Sequence, residues 1–251
     1  MKGSDLRKIS RKGGLARTVL HGNPGTKEGR RLGGLRSIAT HSLKPSGFKT
    51  LQKIRKPKHS ARLAELVGIL MGDGHVGVYQ VSVATSSETD SEHAHFVAEL
   101  FHSAFGIRPT VTKRVNINVL TVVLSSKMAC SHLVSLGMPQ GNKLERGLYP
   151  PGWITENAVY TAAFVRGLID TDGCVYEDRH IVKGKQYSST CIAFTSASPE
   201  LLDYLQEFLI SRDIKATRWG RHIRIRRKKD VAKYVKEIGF NNPKHSRKIE
   251  V

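Results

Sequence analysis

Two stretches of the chain place carboxylates where an apolar helix should end. "LVGILMGDGHVG" (Leu66–Gly77) closes its apolar run on Asp73, and "VRGLIDTDGCVY" (Val165–Tyr176) closes on Asp170 and Asp172. A helix C-terminus carries partial negative charge, so an acid there is electrostatically misplaced unless a positive charge joins it. Small residues recur four apart in both stretches, Gly68 with Gly72 and Gly167 with Thr171. Such positions share one helix face, and small residues there let two helix backbones approach closely. Packed side by side, the two helices would bring Asp73 and Asp172 together, each followed by a glycine (Gly74, Gly173) suited to a left-handed cap. Two carboxylates opposed to helix dipoles and to each other require a cation between them. Hard oxygen donors suit Mg²⁺, or Mn²⁺ in its place. Paired divalent ions activate water and stabilise the leaving oxygen in phosphodiester hydrolysis.

The surrounding elements follow from periodicity and turn signals. "ARLAELVGILM" has helical apolar spacing, and the Val-rich alternation of "HVGVYQVSVATS" predicts a strand. "SEHAHFVAELFHSAFG" predicts an amphipathic helix stopping at Gly106, with His93 and His95 at a surface helix end rather than on a metal. "TVTKRVNINVLTVVLSS" reads as two strands around a turn, and "KMACSHLVSLG" as a helix closed by Gly137. After the Pro-rich "LYPPGWI" the order recurs: the helix "AVYTAAFVRGLID", a strand in "YSSTCIAFTSAS", the helix "PELLDYLQEFLISRD", a hairpin turning at Gly220, and the helix "KDVAKYVKEIGF". The two acid-ended motifs are offset by 99 residues and the closing helices by 102, which predicts a pseudo-symmetric pair of domains.

Charge adds the partner. Lys and Arg outnumber Asp and Glu by 20 over 251 residues, a balance that predicts a polyanion, with nucleic acid ahead of an anionic membrane. The excess is uneven: +15 over residues 1–62, −5 over 63–211 and +10 over 212–251, so basic segments flank a carboxylate-rich middle. No apolar run has the roughly 18 to 20 residues of a membrane span, and the basic N-terminus lacks the apolar stretch of a secretory signal. Cys130, Cys174 and Cys191 match neither a disulfide framework nor a zinc spacing and read as buried, reduced thiols. Residues 1–59 are rich in Gly, Lys, Arg and Ser and poor in large apolar side chains. They predict a basic arm of short helices joined by glycine turns, without a core of its own.

The paired motifs also resemble those of the LAGLIDADG homing endonucleases in their single-chain, double-motif form, and "GNKLERGLYPPGWI" resembles that family's linker. The resemblance covers roughly residues 61 to 251. It implies an α+β fold of two pseudo-symmetric αββαββα domains, at residues 60–147 and 160–251 around a linker at 148–159, whose antiparallel sheets form a saddle on the DNA major groove. It implies metal-binding carboxylates at Asp73 and Asp172, metal-binding backbone carbonyls at Gly72 and Thr171, and basic residues that position water and stabilise charge at Lys127 and Lys229, with Lys228 the alternative to Lys229. The sixth motif position is Met71 in one copy and Asp170 in the other. "VATSSE" and "FTSASPE" lack the glutamine and lysine that some members carry there, which shifts the weight onto Lys127 and Lys229.

Contacts to the partner can be placed on the same frame. Arg224 and Arg226 alternate with Ile223 and Ile225, so a strand turns both arginines to one face, where arginine can read guanine in the major groove. Lys113 and Arg114 stand in the matching hairpin of the first half, and neighbours in a strand point oppositely, so at most one of them faces DNA directly. Arg11, Lys12, Arg30 and Arg31 of the arm are expected on phosphates. The expected protein is a monomeric, Mg²⁺-dependent endonuclease cutting double-stranded DNA at a long non-palindromic site. It would be intron-encoded, without a membrane partner, and would work in the cytoplasm of a prokaryote or in an organelle matrix. A second reading keeps the fold without the chemistry, as a binder of intron RNA or a DNA-binding regulator.

Overall fold

A computed structural model describes residues 3–22, 25–43, 53–114 and 116–249. The chain divides into two units, Met1–Gln52 and Lys53–Val251. The first contains two helices, α1 (Gly3–His21) and α2 (Lys27–Leu43). The glycine pairs Gly13–Gly14 and Gly33–Gly34 lie inside these helices rather than in turns between shorter ones. Each mid-helix glycine costs about 1 kcal/mol relative to alanine. A left-handed residue, Gly22 (φ 76°), follows α1.

The second unit runs α3 (Ala61–Gly72), β1 (Gly74–Val76), β2 (Gln80–Ser86), α4 (Ser91–Phe105), β3 (Thr110–Lys113), β4 (Val119–Ser125) and α5 (Lys127–Ser135). A short α6 (Gly152–Thr155) leads to α7 (Ala158–Asp172), β5 (Gly173–Val182), β6 (Lys185–Thr195), α8 (Pro199–Ser211), β7 (Ala216–Trp219), β8 (His222–Ile225), α9 (Lys228–Glu237) and a last turn, α10 (Pro243–Ser246). The sequence αββαββα thus occurs twice. Both sheets are antiparallel and share one topology, β1-β2-β4-β3 and β5-β6-β8-β7. The strand read from "HVGVYQVSVATS" is two strands, β1 and β2, and β5 begins directly after the second motif, where periodicity had marked none. In both places the chain leaves a helix and enters a strand with no loop between, so no turn signal announces the change.

Caps fix where the motif helices begin. The Ser60 hydroxyl accepts from the Leu63 amide (3.2 Å), and the Asn157 side chain accepts from the Val159 and Tyr160 amides (3.0 and 3.1 Å); each satisfies donors that a helix start leaves free. The two helices then pack backbone to backbone. A Cβ on Gly68 would collide with the Phe164 carbonyl, and one on Gly167 would collide with the Glu65 carbonyl and lie 2.9 Å from the Ile69 nitrogen. The small residues at fourfold spacing therefore do what the pattern predicts. Leu66, Ile69, Leu70, Val165, Leu168 and Ile169 on these helices join Val81, Val122, Leu124, Ile192, Phe194 and Leu205 in one core beneath both sheets. Across the helix pair, Arg166 grips the buried Glu65 in bidentate fashion (2.8 and 3.1 Å) and donates to the Ile238 carbonyl (3.0 Å).

The halves differ in reach. β5 and β6 pair over ten positions, from Gly173 with Phe194 to Val182 with Lys185, and turn through Lys183 and Gly184, both at positive φ. β1 and β2 pair over only three. The distal half of the β5–β6 ribbon is solvent-exposed on both faces.

Overpacking of a close interior contact typically costs about 1–3 kcal/mol. Gly68→Ala and Gly167→Ala should each lower the melting temperature by several degrees. Gly152→Ala, whose added Cβ meets only the Glu156 carboxylate at 3.6 Å, should not. Thermal melts followed by circular dichroism check this, and equal melting of all three would mean that the helices are not in backbone contact.

Candidate active centre

The packing of α3 on α7 decides what stands at their C-terminal ends. Asp73 is the residue that ends α3, and Asp172 is the last residue of α7. A Cβ on Gly72 would lie 2.9 Å from the Thr171 Cβ and 3.3 Å from Asp172 Oδ2, so the glycine leaves room for the end of the other helix. The glycines after the aspartates have a different role from the one expected. Neither Gly74 nor Gly173 is left-handed, and Gly173 is extended (φ −95°, ψ 167°). Each lets the departing strand fold against its own helix: a Cβ on Gly74 would be 2.6 Å from the Leu70 oxygen, and one on Gly173 would be 2.9 Å from the Ile169 Cα.

The carboxylates sit in unfavourable surroundings. Burial first, then the charge of Asp73, push the Asp172 carboxyl up to about 6 against the pull of Lys143. Burial also raises Asp73, against the pull of Lys143 and Lys244, while Asp90 adds to the rise. The ammonium of Lys143 donates to the Gly72 carbonyl and to the Gly74 carbonyl (3.1 Å). Burial lowers the pKa of Lys143, and Asp172 and Asp73 draw it back up. The centre thus gathers two carboxylates, helix-end carbonyls and a lysine. Among the described residues no third His, Cys, Asp or Glu joins them. Such a donor set fits a hard divalent cation that keeps part of its shell for water or phosphate.

A tail from the second half closes the first. The Asn241 amide donates to Asp170 Oδ2 (2.8 Å), and the Asn241 side chain reaches Glu65. Asn242, fully buried, donates from Nδ2 to Asp90 Oδ1 (2.7 Å) and to the Asp170 carbonyl (3.0 Å). Lys244 pairs with Asp90 (2.8 Å) and Arg247 with Glu92 (2.6 Å). Burial alone would raise Asp90, but Asn242 and Lys244 outweigh it and hold that carboxyl below its usual range. Asp170 lies at 0% exposure with Oδ1 unpartnered, and burial pushes it up to about 7. His93, expected at a surface helix end, is instead buried with Nε2 unpartnered, and burial pushes its pKa down to about 4, while His95 remains exposed. The cysteines differ likewise: Cys130 and Cys191 are buried, but Cys174 is exposed.

The other expected site residues are more scattered. Lys127 lies 5.8 Å from the centre of the Tyr79 ring, and Lys229 is exposed in the first turn of α9. Neither is among the charges acting on Asp73 and Asp172, which are Lys143, Lys244 and Asp90 besides the pair itself. Lys143 follows Gly137 by six residues and Lys244 follows Gly239 by five. Their separation of 101 residues falls between the motif offset and the closing-helix offset, a spacing that could have flagged both, although Lys143 contacts carbonyls at the end of its own motif helix and Lys244 pairs with Asp90 of the other half. Thr171 bonds its hydroxyl back to the Gly167 and Leu168 carbonyls (3.1 and 3.0 Å). Arg224 stands on β8 opposite the buried Ile223 and Ile225, whereas Arg226 lies just past the strand and pairs with Asp178 (2.5 Å). Lys113 and Arg114 are exposed at the end of β3. Arg11 and Lys12 on α1, and Arg30 and Arg31 on α2, are exposed within the N-terminal unit.

Comparison with known families finds a match in the second half, where the LAGLIDADG-like domain matches residues 160–239. That segment is similar to this domain. Among solved structures, the LAGLIDADG homing endonuclease I-LtrWI bound to target DNA has a TM-score of 0.50 at 12% identity, over 74% of this chain and 87% of that one. A variant of I-SmaMI gives 0.50 at 11% identity, over the same shares. I-DmoI in complex with DNA and Mn gives 0.48 at 17% identity, over 71% and 96%. The two matches at 0.50 show that the fold is the two-domain fold of I-LtrWI and I-SmaMI. A tRNA-splicing ligase RtcB of Methanopyrus kandleri is 27% identical over 194 residues, 71% of this chain. The chain spans only 17% of the length of that curated relative.

The Asp172 carboxyl has a usual value of 3.8 and titrates near 6 in the fold, so folding favours its protonated form. Stability tied to this group is complete below pH 4 and is lost as pH rises through 6. Asp172→Asn should therefore raise the melting temperature of chelator-treated protein at pH 8 by about 2–4 °C, the equivalent of roughly 1 kcal/mol, and change it little at pH 4.5. A lower melting temperature at pH 8 would show that the ionised carboxylate is stabilised in the metal-free fold.

Proposed function

We propose that the chain is a site-specific endonuclease that hydrolyses both strands of duplex DNA with a divalent cation, Mg²⁺ in the cell, shared by Asp73 and Asp172. The observation that carries this reading is the pair of helix ends. Two aspartates crowd one another there, with burial and mutual repulsion raising Asp172, in a LAGLIDADG fold whose sheets leave their outer faces open. I-LtrWI, similar in fold and solved bound to its target DNA, supports DNA as the partner.

Asp73 and Asp172 would hold the metal, with the Gly72 and Thr171 carbonyls beside them. A divalent ion held by these groups would supply acidification of water and charge neutralisation at a phosphate. Lys143, bonded to the Gly72 and Gly74 carbonyls, would offset charge on the scissile phosphate. Lys244 acts from the other half through its pull on Asp73. We assign to these two the part first expected of Lys127 and Lys229. Arg224 and one of Lys113 and Arg114 would meet base edges, and the long β5–β6 ribbon would extend the footprint on one side only. Arg226 joins them once its pair with Asp178 opens. One chain supplies both halves, so a monomer suffices, and the unequal halves match a non-palindromic site.

A second reading draws on Lys143 itself. A lysine seated at the carbonyl that a metal would use neutralises the centre without one, as suits a non-catalytic binder of DNA or intron RNA.

Cleavage of a randomised duplex library separates the two. Wild type should cut one long site in Mg²⁺ and bind it without cutting in Ca²⁺. Asp73→Asn and Asp172→Asn should bind and not cut, and Lys143→Met should slow cutting about 10²–10³-fold, as loss of one donor to developing charge does. The rate should climb as pH rises through 6, because a metal ligand must be deprotonated and Asp172 titrates there. Selective binding with no cutting under any of these conditions would establish the second reading.

A further inference from the structure

The segment leading into α3 carries a charge cluster that the active centre does not use. Lys53, Arg55, Lys56, Lys58 and Arg62 fall within ten residues that contain no acid, and all five are exposed. Among the described residues none of the five has a carboxylate partner. Four of them, Arg55, Lys56, Lys58 and Arg62, rim a concavity of about 450 Å³, and no acid lines it. Its floor is largely apolar, with Pro57, Leu63, Leu100 and Ala104. The segment is held in place: the Arg55 amide donates to the Phe105 carbonyl (2.9 Å), and its guanidinium donates to the Ser103 carbonyl (3.3 Å). His59, between the lining residues Lys58 and Ser60 in the chain, carries an aromatic cluster that is not itself part of the lining. His59 stacks on Trp153 with ring centres 4.3 Å apart, and the Tyr160 hydroxyl donates to the His59 carbonyl (3.2 Å).

Position separates this surface from the active centre. It lies at the start of α3, whose 12 residues place Asp73 about 18 Å away at the other end. Part of its floor, Leu100 and Ala104, belongs to α4, which packs against sheet β1-β2-β4-β3 from the core side. A duplex lying on the outer faces of the sheets cannot turn back to it, because DNA stays stiff over about 150 base pairs.

We propose that this concavity is a second nucleic-acid site, which takes the backbone and bases of a single strand. Its volume is that of a small-ligand pocket, enough for a nucleotide or two and too small to embrace a duplex. Fixed cations beside an apolar floor and aromatic rings are what sequence-tolerant single-strand binding uses. The site is independent of the endonuclease reading, since no residue is shared.

The test uses the full chain with Trp219→Phe, which leaves Trp153 as the sole tryptophan and a local reporter. Titration with oligouridylate should change Trp153 emission and saturate at one strand per protein. Arg55→Gln, Lys56→Gln, Lys58→Gln and Arg62→Gln combined should abolish the change and reduce the slope of log affinity against log salt by about 3, at roughly 0.7 per phosphate contact. Lys56→Gln and Lys58→Gln singly should each weaken binding a few-fold, which keeps the test valid if the combined variant melts early. Asp172→Asn should bind the strand as wild type does, and the combined variant should bind or cut duplex as before. If no duplex reaction is found, the Trp153 titration still decides the matter. Unchanged affinity in the combined variant overturns the proposal. So does displacement of the strand by one equivalent of duplex, which would mean a single shared site. A stronger Trp153 response to phosphatidylserine vesicles than to oligouridylate would overturn it in favour of a lipid surface.

Discussion

The contact between the α3 and α7 backbones at Gly68 and Gly167 is the constraint on which the rest of the molecule depends. It sets the separation of the two sheets, because each sheet is attached to one of these helices by a strand that starts at the helix end without a loop. It also sets the separation of Asp73 and Asp172, because each is the end residue of its helix. Any side chain at the crossing would move the sheets and the carboxylates together. The bidentate Glu65–Arg166 pair lies across the same crossing and resists sliding of one helix along the other.

That close approach creates an electrostatic burden, and the structure meets it with parts drawn from far along the chain. Two helix C-termini, two aspartates and the neighbouring Asp90 and Asp170 concentrate negative charge in a partly dry region. The counter-charges are Lys143, from the stretch after the first half, and Lys244, from the stretch after the second. Polar neutralisation comes from Asn241 and Asn242, which occupy acceptors that the end of α7 and Asp90 would otherwise leave buried and unpaired. A pair of helices built to meet at their negative ends is stable only with these additions, and the remaining mismatch appears as the raised pKa of Asp172.

Much of this was legible in the sequence, because it rests on local spacing. The fourfold repeat of small residues foretold the helix contact, and the offset of about 100 residues foretold two like halves. Gly106, Gly137 and Gly220 mark helix ends and a hairpin turn by positive φ, as their positions implied. What was not legible depends on distance along the chain. Asn242 has partners 72 and 152 residues away, and Asn241 has one 176 residues away, so neither has a local signature. Lys143 looks like any linker lysine until the fold carries it 71 residues back to Gly72. The role of Gly74 and Gly173 was misjudged for a physical reason: sequence shows that a Cβ is absent but not whether φ or space requires its absence.

The tail that clips Asn242 and Lys244 onto Asp90 has a consequence for the order in which the protein is made. Asp90 and α4 leave the ribosome some 150 residues before the groups that complete them. Until residue 242 has emerged, the first half holds a carboxylate destined for burial with neither its amide nor its ammonium partner, and the second of these is residue 244. Domains otherwise tend to fold in the order of synthesis. Here two of the polar partners that complete the earlier half are supplied by the later one. A chain that ends before Asn242 and Lys244 lacks both partners of Asp90.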